Sequence, residues 1–420
     1  MRYLLDALYL LALLVAWPWL LLSKKRRGVW GRMRGDLPAG LPEGAVWFHG
    51  VSLGETNMLR GLVDAFRKRH PGQAVVVSST TATGLEAARK HFGEPAVFPF
   101  PFDFSWACAR VLGKLKPRLV VLGESELWPN FLGECYRRGV PVAVANGRMS
   151  PRSAGRYGWV RGLVRWMFGG LRVVGAQTAE HAAGFLATGA RPGRVKVTGN
   201  IKYDGALVDK GNARTAALRA ALGVEPGDRV FVAGSTQPGE EAAALAAFKA
   251  LKGRHPRLKL FVVPRAPERF DEVAKLLGGE RRSQGGRGDV VLIDTMGELG
   301  ALWGLAEAAF VGGSLDGKRG GQSMIEPAAF GAAVLFGPHV WNFKETAARL
   351  LEVGGAVQVS DGAELAAALG RVLGDEQERR AMGAAARALV LAQQGATERT
   401  LDLLDEALGE RERERLSGAA

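Results

Sequence analysis

Cysteine and histidine are scarce in this sequence of 420 residues, which contains two cysteines and six histidines. The two cysteines, Cys108 and Cys135, cannot form a disulfide framework, and the chain has no CxxC pair that could bind zinc. The histidines are scattered, without the HxxxH or HExxH spacing of a metal-binding helix. These absences argue against a disulfide-rich secreted domain and a histidine-based metal centre, and they favour a reducing compartment.

Acidic residues are outnumbered only in the first half of the chain. Residues 1–205 contain 29 Lys/Arg and 13 Asp/Glu, a net charge of +16, whereas residues 206–420 contain 27 and 29, a net charge of −2. This asymmetry predicts an anionic partner for the first half, although a solvated basic face that aids solubility is the alternative. No helix-turn-helix, RNP or zinc-finger signature is present, so we do not expect a nucleic acid partner.

Long apolar runs are also absent, except at the N-terminus. Residues 3–22 contain one charged residue, Asp6, and a basic cluster follows at residues 24–27. A helix of this length spans about 30 Å, and a secretory signal would instead place its positive charges before the apolar run. We therefore expect residues 1–27 to be a membrane anchor with the rest of the chain on the cytoplasmic side. Asp6, Pro18 and the flanking tryptophans leave open whether the helix crosses the bilayer or lies in its surface; a buried core helix is a further alternative.

A second basic stretch lies at residues 148–165. Its arginines recur at i,i+4 spacing. Trp159 lies between two of them, and Trp166 follows the last one directly. The pattern predicts a helix at the surface of an anionic membrane.

The chain is too long for one core, because single cores stop growing at about 250–300 residues. Short, almost continuously apolar runs alternate with helical patterns, which predicts parallel sheets covered on both faces. The predicted strands are residues 45–51, 73–79, 118–123, 141–147, 171–177, 195–200, 228–235, 258–265, 289–294, 308–314 and 333–338. The series restarts after residues 201–212, so we predict two doubly wound, Rossmann-like α/β domains facing a cleft at the carboxyl ends of their strands. A last helical stretch is expected over about residues 380–412.

Nine turn and strand-end segments follow one another along nearly the whole chain. They are HGVSLGET (49–56), GESELWPN (123–130), ANGRMSPRSAGRY (145–157), VTGNIKYD (197–204), GSTQPGEE (234–241), VPRAPERF (263–270), DTMGEL (294–299), GGSLDGKRGGQSMIEP (312–327) and FGPHVWNF (336–343). Together they resemble the 3-deoxy-D-manno-octulosonic acid (Kdo) transferases of lipopolysaccharide synthesis. The resemblance implies a GT-B glycosyltransferase with an acceptor-binding domain over residues 28–205 and a CMP-sugar-binding domain over residues 206–420. The last helix could pack back on the first domain.

Charged residues follow three predicted strands in the first half. Glu55 begins a predicted helix, whose dipole favours an ionised carboxylate, and a purely structural role at that helix end is the alternative. Glu124 and Glu126 could cap a helix or bind polar ligand groups. The resemblance implies that Glu55 is the general base and that Glu124 and Lys202 stabilise the transition state, with Lys202 neutralising the departing phosphate. From the residues alone, Lys202 could equally be a solvated lysine in a linker.

The second half contains residues suited to bind a nucleotide. Ser235 and Thr236 lie in a Gly-Ser turn that we expect to open a helix, and residues 296–298 are expected to begin another, since free helix amides bind anions. Arg265 could contact phosphate in a bidentate way, and Glu326 could accept hydrogen bonds from ribose. The resemblance implies a CMP pocket that also includes Pro264, Met296, Gly297, Glu298, Ser323, Met324 and Ile325. The family usually has His-Asn where this chain has Gln322-Ser323, so contacts there could be rearranged or bridged by water.

The chain contains no DxD motif, which many nucleotide-sugar transferases use to hold a divalent cation. We therefore expect no metal and no cofactor. The combined prediction is an inverting transferase that moves Kdo from CMP-Kdo to a phosphorylated lipid A precursor, attached to the anionic cytoplasmic face of a bacterial inner membrane. The alternatives are an enzyme of the nucleotide-sugar 2-epimerase type and a non-catalytic, membrane-bound lipid-binding protein.

Overall fold

The computed structural model describes residues 2–22, 28–150 and 160–417. The chain folds into two compact units, Met1–Asp204 together with Gln394–Ala420, and Gly205–Gln393. The basic cluster at residues 24–27 and residues 151–159 of the basic stretch at 148–165, including Trp159, lie outside the described residues.

Unit 1 contains a parallel sheet of seven strands in the order β3-β2-β1-β4-β5-β6-β7. The strands are β1 (Val46–Gly50), β2 (Val75–Ser79), β3 (Val97–Pro99), β4 (Leu119–Gly123), β5 (Val142–Gly147), β6 (Val173–Ala176) and β7 (Val195–Val197). The helices are α1 (Arg2–Leu22), α2 (Val29–Arg34), α3 (Leu53–Arg69), α4 (Ala82–Phe92), α5 (Ser105–Leu115), α6 (Pro129–Arg137), α7 (Arg161–Gly169), α8 (Ala179–Thr188) and α17 (Ala396–Ser417).

Unit 2 repeats this plan with the strand order β10-β11-β9-β8-β12-β13-β14, again all parallel. The strands are β8 (Arg229–Thr236), β9 (Leu258–Pro264), β10 (Glu280–Arg281), β11 (Val290–Leu292), β12 (Ala308–Val311), β13 (Ala333–Phe336) and β14 (Ala356–Gln358). The helices are α9 (Ala213–Ala221), α10 (Glu240–Lys252), α11 (Phe270–Leu277), α12 (Leu299–Leu302), α13 (Ile325–Ala329), α14 (Lys344–Glu352), α15 (Gly362–Gly374) and α16 (Glu376–Gln393).

The central strands are buried on both faces, which explains their continuous apolar sequences. In β1, Trp47 packs into a cluster with α5 and α6, whereas its neighbour Phe48 points to the opposite face and packs against α3 and α17. This alternation is the two-residue period of a strand with helices on both sides. The prediction of two parallel-sheet α/β domains is therefore confirmed.

The last helix belongs to unit 1 although the chain reaches it through unit 2. The Asp204 carboxylate accepts hydrogen bonds from the amides of Ala396 and Thr397 and so caps the start of α17. Arg69 on α3 forms ion pairs with Asp402 and Asp405 of α17. These contacts attach the C-terminal helix to the sheet face that contains Phe48.

Two details of the sequence prediction are wrong. The short strands β3, β10 and β14 were not predicted. The single helix predicted over residues 380–412 is two helices, α16 and α17. They are separated at Gly395, whose φ of +83° lies in the left-handed region that favours glycine and ends a helix.

The N-terminal helix α1 packs along unit 1. Asp6, which is 5% exposed, accepts hydrogen bonds from the backbone amide of Ser105 (2.9 Å), the Ser105 hydroxyl (2.5 Å) and Asn130 Nδ2 (3.0 Å). The Tyr9 hydroxyl donates to Asp103 (3.1 Å). Among the described residues, no helix combines the length and the apolarity needed to cross a bilayer.

Candidate active site

The strand order of unit 1 reverses between β1 and β4, and a doubly wound sheet binds its ligand outside the carboxyl ends of the strands at such a point. Glu55 follows β1, and Glu124 follows β4 directly. The predicted carboxylates therefore stand at the switch point of the unit 1 sheet.

Glu55 lies in the first turn of α3 and closes a variant of the capping box with Ser52, in which the amide of Val51 takes the place of the amide of Ser52. Its Oε1 accepts a hydrogen bond from the Ser52 hydroxyl (2.9 Å), and its backbone amide donates to Ser52 Oγ (3.3 Å). Its Oε2 accepts from the Val51 amide (2.9 Å). The carboxylate is thereby fixed at the end of β1, so the structural role that we weighed as an alternative is present in the molecule.

The carboxylates at this edge influence one another. Burial raises the pKa of Glu55 above its ordinary value, and the charge of Glu124 raises it further, against the hydrogen bonds from Val51 and Ser52. Burial also raises the pKa of Glu126, and the charges of Glu55 and Glu124 add to this effect. A carboxylate with a raised pKa is a stronger base once ionised, which suits Glu55 to accept a proton from a hydroxyl group.

Lys202 is the cation beside these carboxylates. Its Nζ lies 3.3 Å from Oε1 of Glu124. Lys202 lies in the 3₁₀ turn Ile201–Tyr203 that follows β7, and its amide donates to Asn200 Oδ1 (3.1 Å). Unit 1 therefore brings Glu124 and Lys202, which are 78 residues apart in sequence, into one ion pair.

Asn146 positions this turn and was missed in the sequence. Its Oδ1 accepts a hydrogen bond from the Ile201 amide (3.0 Å), and its φ is +57°. Among the described non-glycine residues, positive φ occurs at Lys116, Glu124, Asn146 and Ser235. Three of these four lie at the carboxyl ends of β4, β5 and β8, and residues held in this region cluster at functional sites. The only available sequence signal was an asparagine before glycine at a strand end.

In unit 2, the strand order reverses between β8 and β12. Ser235 and Thr236 form the irregular end of β8, where Ser235 has a φ of +54°. The sequence prediction that they open a helix is wrong, because α10 begins at Glu240, after a turn ending in the left-handed Gly239. Thr236 is buried, and its Oγ1 has no hydrogen-bond partner among the described residues.

Glu240 is a second residue that sequence analysis missed. Its buried carboxylate accepts hydrogen bonds from the amides of Gln237 (2.8 Å), Gly313 (2.7 Å), Ser314 (2.9 Å) and Leu315 (3.0 Å). It thereby ties the loop after β12 to the end of β8. The segment GSTQPGEE contained the residue, but three of its four partners lie more than seventy residues later, and no spacing rule points to them.

Pro264 and Arg265 lie beside this turn, at the end of β9. The Arg265 amide donates to the Thr236 carbonyl (3.0 Å), and the Arg265 side chain is exposed. The structure therefore brings Ser235, Thr236, Pro264 and Arg265 to one edge of the unit 2 sheet, where an exposed guanidinium can contact phosphate.

Residues 296–298 form a turn rather than the start of a helix, since the short helix α12 begins at Leu299. The Glu298 carboxylate is paired with Arg282 (3.2 Å) and accepts a hydrogen bond from Thr295. Met296 is 71% exposed. Gly297, with a φ of +85°, gives the turn its left-handed conformation. The expected helix therefore starts later than predicted, because Gly297 holds the preceding turn in a conformation that is not helical.

The segment 323–326 leads into α13, which begins at Ile325. Met324 and Ile325 are buried, whereas Ser323 and Glu326 are partly exposed. Burial raises the pKa of Glu326, and a hydrogen bond with the Ser323 side chain opposes that effect. Ser323, which replaces the family's asparagine, therefore hydrogen-bonds the carboxylate expected to contact ribose.

Comparisons with known proteins show the family of this chain. The family described as 3-deoxy-D-manno-octulosonic-acid transferase matches residues 23–205, and a glycosyl transferase-like family matches residues 321–405. The 3-deoxy-D-manno-octulosonic acid transferase of Bordetella pertussis is 37% identical over 412 residues, 93% of each chain. That of Haemophilus influenzae is 34% identical over 376 residues, 86% of this chain and 87% of its own. This chain belongs to the Kdo transferase family.

Solved structures share the fold of this Kdo transferase family member. The chain resembles a Listeria monocytogenes protein described as a putative UDP-N-acetylglucosamine 2-epimerase, with a TM-score of 0.59, 14% identity and coverage of 88% of this chain and 97% of that one. It resembles Staphylococcus aureus MnaA with UDP at a TM-score of 0.58, 14% identity and coverage of 87% and 97%. At this identity the likeness concerns the fold alone.

Proposed function

We propose that this chain transfers Kdo from CMP-Kdo to a hydroxyl group of a lipid A precursor. Membership of the Kdo transferase family supports the donor and the acceptor class. The observation that carries the proposal in the site is the set of Glu55, Glu124 and Lys202 at the unit 1 switch point. Partly buried carboxylates beside a cation suit proton transfer and charge compensation.

The proposed reaction is a single displacement with inversion at the anomeric carbon. Glu55 accepts the proton of the acceptor hydroxyl while the acceptor oxygen forms the new bond to Kdo. The bond between Kdo and phosphate breaks, and CMP leaves with the electron pair. Glu124 holds Lys202, whose charge compensates the departing phosphate. The Glu55 carboxylate is already fixed by Val51 and Ser52, so little reorganisation is needed when it acts.

CMP is proposed to bind at the carboxyl edge of the unit 2 sheet. Arg265 and the turn at Ser235 and Thr236 contact the phosphate, and Glu326, with Ser323, accepts the ribose hydroxyls. The remaining proposed pocket residues are Pro264, Met296, Gly297, Glu298, Met324 and Ile325. The exposure of Arg265 and the left-handed Ser235 support this assignment.

We also propose that α1 attaches the protein to the anionic cytoplasmic face of a bacterial inner membrane while lying in the surface. The face of α1 that contains Asp6 and Tyr9 contacts unit 1. The exposed residues of α1 include Tyr3, Leu4, Leu8, Leu11 and Leu14. A helix with one docked face and one exposed leucine face suits an interfacial position.

The deciding experiment incubates the purified full chain with CMP-Kdo and a tetra-acylated lipid A precursor, followed by mass analysis of the lipid. Addition of one or more Kdo masses is expected. We propose that no metal takes part, so the yield should be the same in EDTA. A lipid of unchanged mass, together with interconversion of a UDP-sugar by the same preparation, would instead favour the 2-epimerase alternative.

A further inference from the structure

A cavity of about 360 Å³ lies in unit 1 beneath the N-terminal helix. Its lining residues come from α1 and from the segments that follow β3 and β4: Tyr9, Ala12, Leu13, Phe102, Asp103, Phe104 and Trp128. Its volume falls within the range of about 300–1,000 Å³ that is typical of ligand pockets. The proposed reaction assigns no occupant to it.

The Asp103 carboxylate and the Tyr9 hydroxyl beside this cavity are hydrogen-bonded within the protein. The Asp103 carboxylate accepts hydrogen bonds from the amides of Asn130 (3.1 Å) and Phe131 (2.8 Å) at the start of α6, and from the Tyr9 hydroxyl. The walls that remain are aromatic rings and aliphatic side chains. An occupant of this cavity is therefore apolar, because a charged or strongly polar group would lose its hydration without replacement.

One hydrogen-bond donor in the wall is unused. Trp128 Nε1 is buried and has no hydrogen-bond partner among the described residues. A buried indole N–H ordinarily has a partner. An apolar occupant that also carries a carbonyl or hydroxyl oxygen could supply it.

The cavity is lined by the loop that contains the candidate carboxylates and by the helix that has an exposed apolar face. Trp128 lies in the same loop as Glu124 and Glu126, at the carboxyl edge of the unit 1 sheet. On the other side, α1 exposes Leu8, Leu11 and Leu14. Asp6 fixes α1 to the start of α5, so the wall that separates the exposed leucines from the cavity is held in place.

We propose that this cavity binds one acyl chain of the lipid acceptor, with an ester, amide or hydroxyl oxygen of that chain accepting a hydrogen bond from Trp128. The proposal rests on the proposed function, because that function supplies a lipid acceptor. It adds that acceptor recognition includes the hydrocarbon part of the molecule and that α1 forms part of the acceptor site.

The test is a substitution on α1 whose larger side chain fills the cavity. Ala12→Phe places an aromatic ring at the cavity lining, and the matched control is Ala7→Phe, the same substitution at an exposed position of the same helix outside that lining. We measure kcat/KM in detergent micelles for the tetra-acylated acceptor and for its deacylated counterpart. Each buried methylene strengthens binding about fourfold. Ala12→Phe should therefore lower the ratio of kcat/KM for the acylated acceptor to kcat/KM for the deacylated one at least tenfold. Ala7→Phe should keep the wild-type ratio.

A second variant changes the cavity in the opposite direction. Leu13→Ala enlarges it, so the preferred acyl length should shift to longer chains, a gain that general damage to α1 would not produce. The proposal would be overturned if the ratio of kcat/KM for the acylated acceptor to that for the deacylated one were the same in wild type, Ala12→Phe and Leu13→Ala.

Direct binding separates this inference from the proposed function. Titration of the acceptor lipid series into the protein without donor should show affinity that rises with chain length in wild type and is lost in Ala12→Phe. If that result holds while no Kdo is transferred, the acyl site stands and the transferase function is wrong. If Kdo is transferred but binding is independent of chain length, the function stands and the acyl site is wrong.

Discussion

Glu55 combines a structural and a proposed chemical role in one side chain. One carboxylate oxygen closes the capping box with Ser52, and the other accepts from the Val51 amide. Glutamine can replace glutamate in a capping box, whereas alanine cannot. The two roles can therefore be separated by substitution.

Glu55→Gln should lower Kdo transfer by about 10²–10⁴-fold, the usual contribution of a positioned general base. The free energy of unfolding should change little, because the cap is kept, and CMP-Kdo affinity should be as in wild type. Glu55→Ala should lose both transfer and stability, the latter by about 1 kcal/mol. Steady-state kinetics and urea denaturation measure the two effects. If Glu55→Gln transfers Kdo at a near-normal rate, Glu55 is not the general base, and Glu124 is the next carboxylate to test.

We expect the pKa of Glu55 to determine the pH at which the transfer rate falls on the acidic side, the acidic limb of the pH–rate profile. A general base works only when ionised, and burial raises the pKa of Glu55 above the ordinary 4.5. Transfer should therefore fall as the pH drops through that raised pKa, so the limb lies above pH 4.5. Glu124→Gln removes a negative charge that raises this pKa, and it should move the limb of the remaining activity to lower pH. A limb that stays in place would show that another group controls it.

Arg265 belongs to donor binding in our proposal. Arg265→Ala should weaken CMP binding by about 10–100-fold, as expected for the loss of a hydrogen bond to a charged group. The matched control is Arg380→Ala, which removes an exposed arginine that pairs with Glu376 on its own helix. Calorimetric titration with CMP measures both. Equal affinities in the two variants would remove Arg265 from the donor site.

At the scale of elements, α1 shows how an isolated charge changes the meaning of an apolar sequence. Residues 3–22 predict an anchor by hydropathy, and Asp6 is the one exception to their pattern. In the structure Asp6 accepts hydrogen bonds at the start of α5, where the N-cap residue Phe104 supplies no side-chain cap. The exception was thus the most informative residue of the run, but its partners lie about a hundred residues away and no local rule identifies them.

Asp6→Ala should destabilise unit 1 by about 1–3 kcal/mol, because it leaves buried donors of Ser105 and Asn130 without an acceptor. Asp36→Ala is a suitable control, since that carboxylate pairs at the surface with Arg34 and such pairs contribute about 0–1 kcal/mol. Chemical denaturation of the full chain measures the difference. Equal unfolding free energies for the two variants would show that α1 is not held by Asp6.

The sequence predicted the central strands well because each is buried on both faces and therefore continuously apolar. It failed where long-range contacts decide. Helix starts at Glu240 and Leu299 depend on glycine conformations in the preceding turns, and Glu240 and Asn146 act on amides far along the chain. Family motifs led to Glu55, Glu124 and Lys202, whereas the residues that position Lys202 became visible only in the fold.

At the scale of the whole molecule, charge is distributed unequally along the chain, with a net +16 in residues 1–205 and −2 in residues 206–420. If the basic half docks on an anionic surface, binding to vesicles with anionic lipid should weaken as ionic strength rises past about 0.15 M, where the Debye length is about 8 Å. Binding to neutral vesicles should be weaker and nearly independent of salt. Vesicle sedimentation checks both, and identical curves would leave only the apolar face of α1 as the membrane determinant.

The return of α17 to unit 1 has a consequence for biosynthesis. One face of the unit 1 sheet packs against Leu401, Leu403 and Leu404, which leave the ribosome only after all of unit 2 has been made. At about 5–20 residues per second, the strands of unit 1 wait on the order of 10–40 s before α17 covers its part of that face. Unit 2 is continuous in sequence and can fold in that interval. A nascent chain stalled before residue 394 would therefore contain a complete unit 2 and a unit 1 that lacks α17. We expect chaperones to bind the apolar surface that α17 covers until that helix has been synthesised.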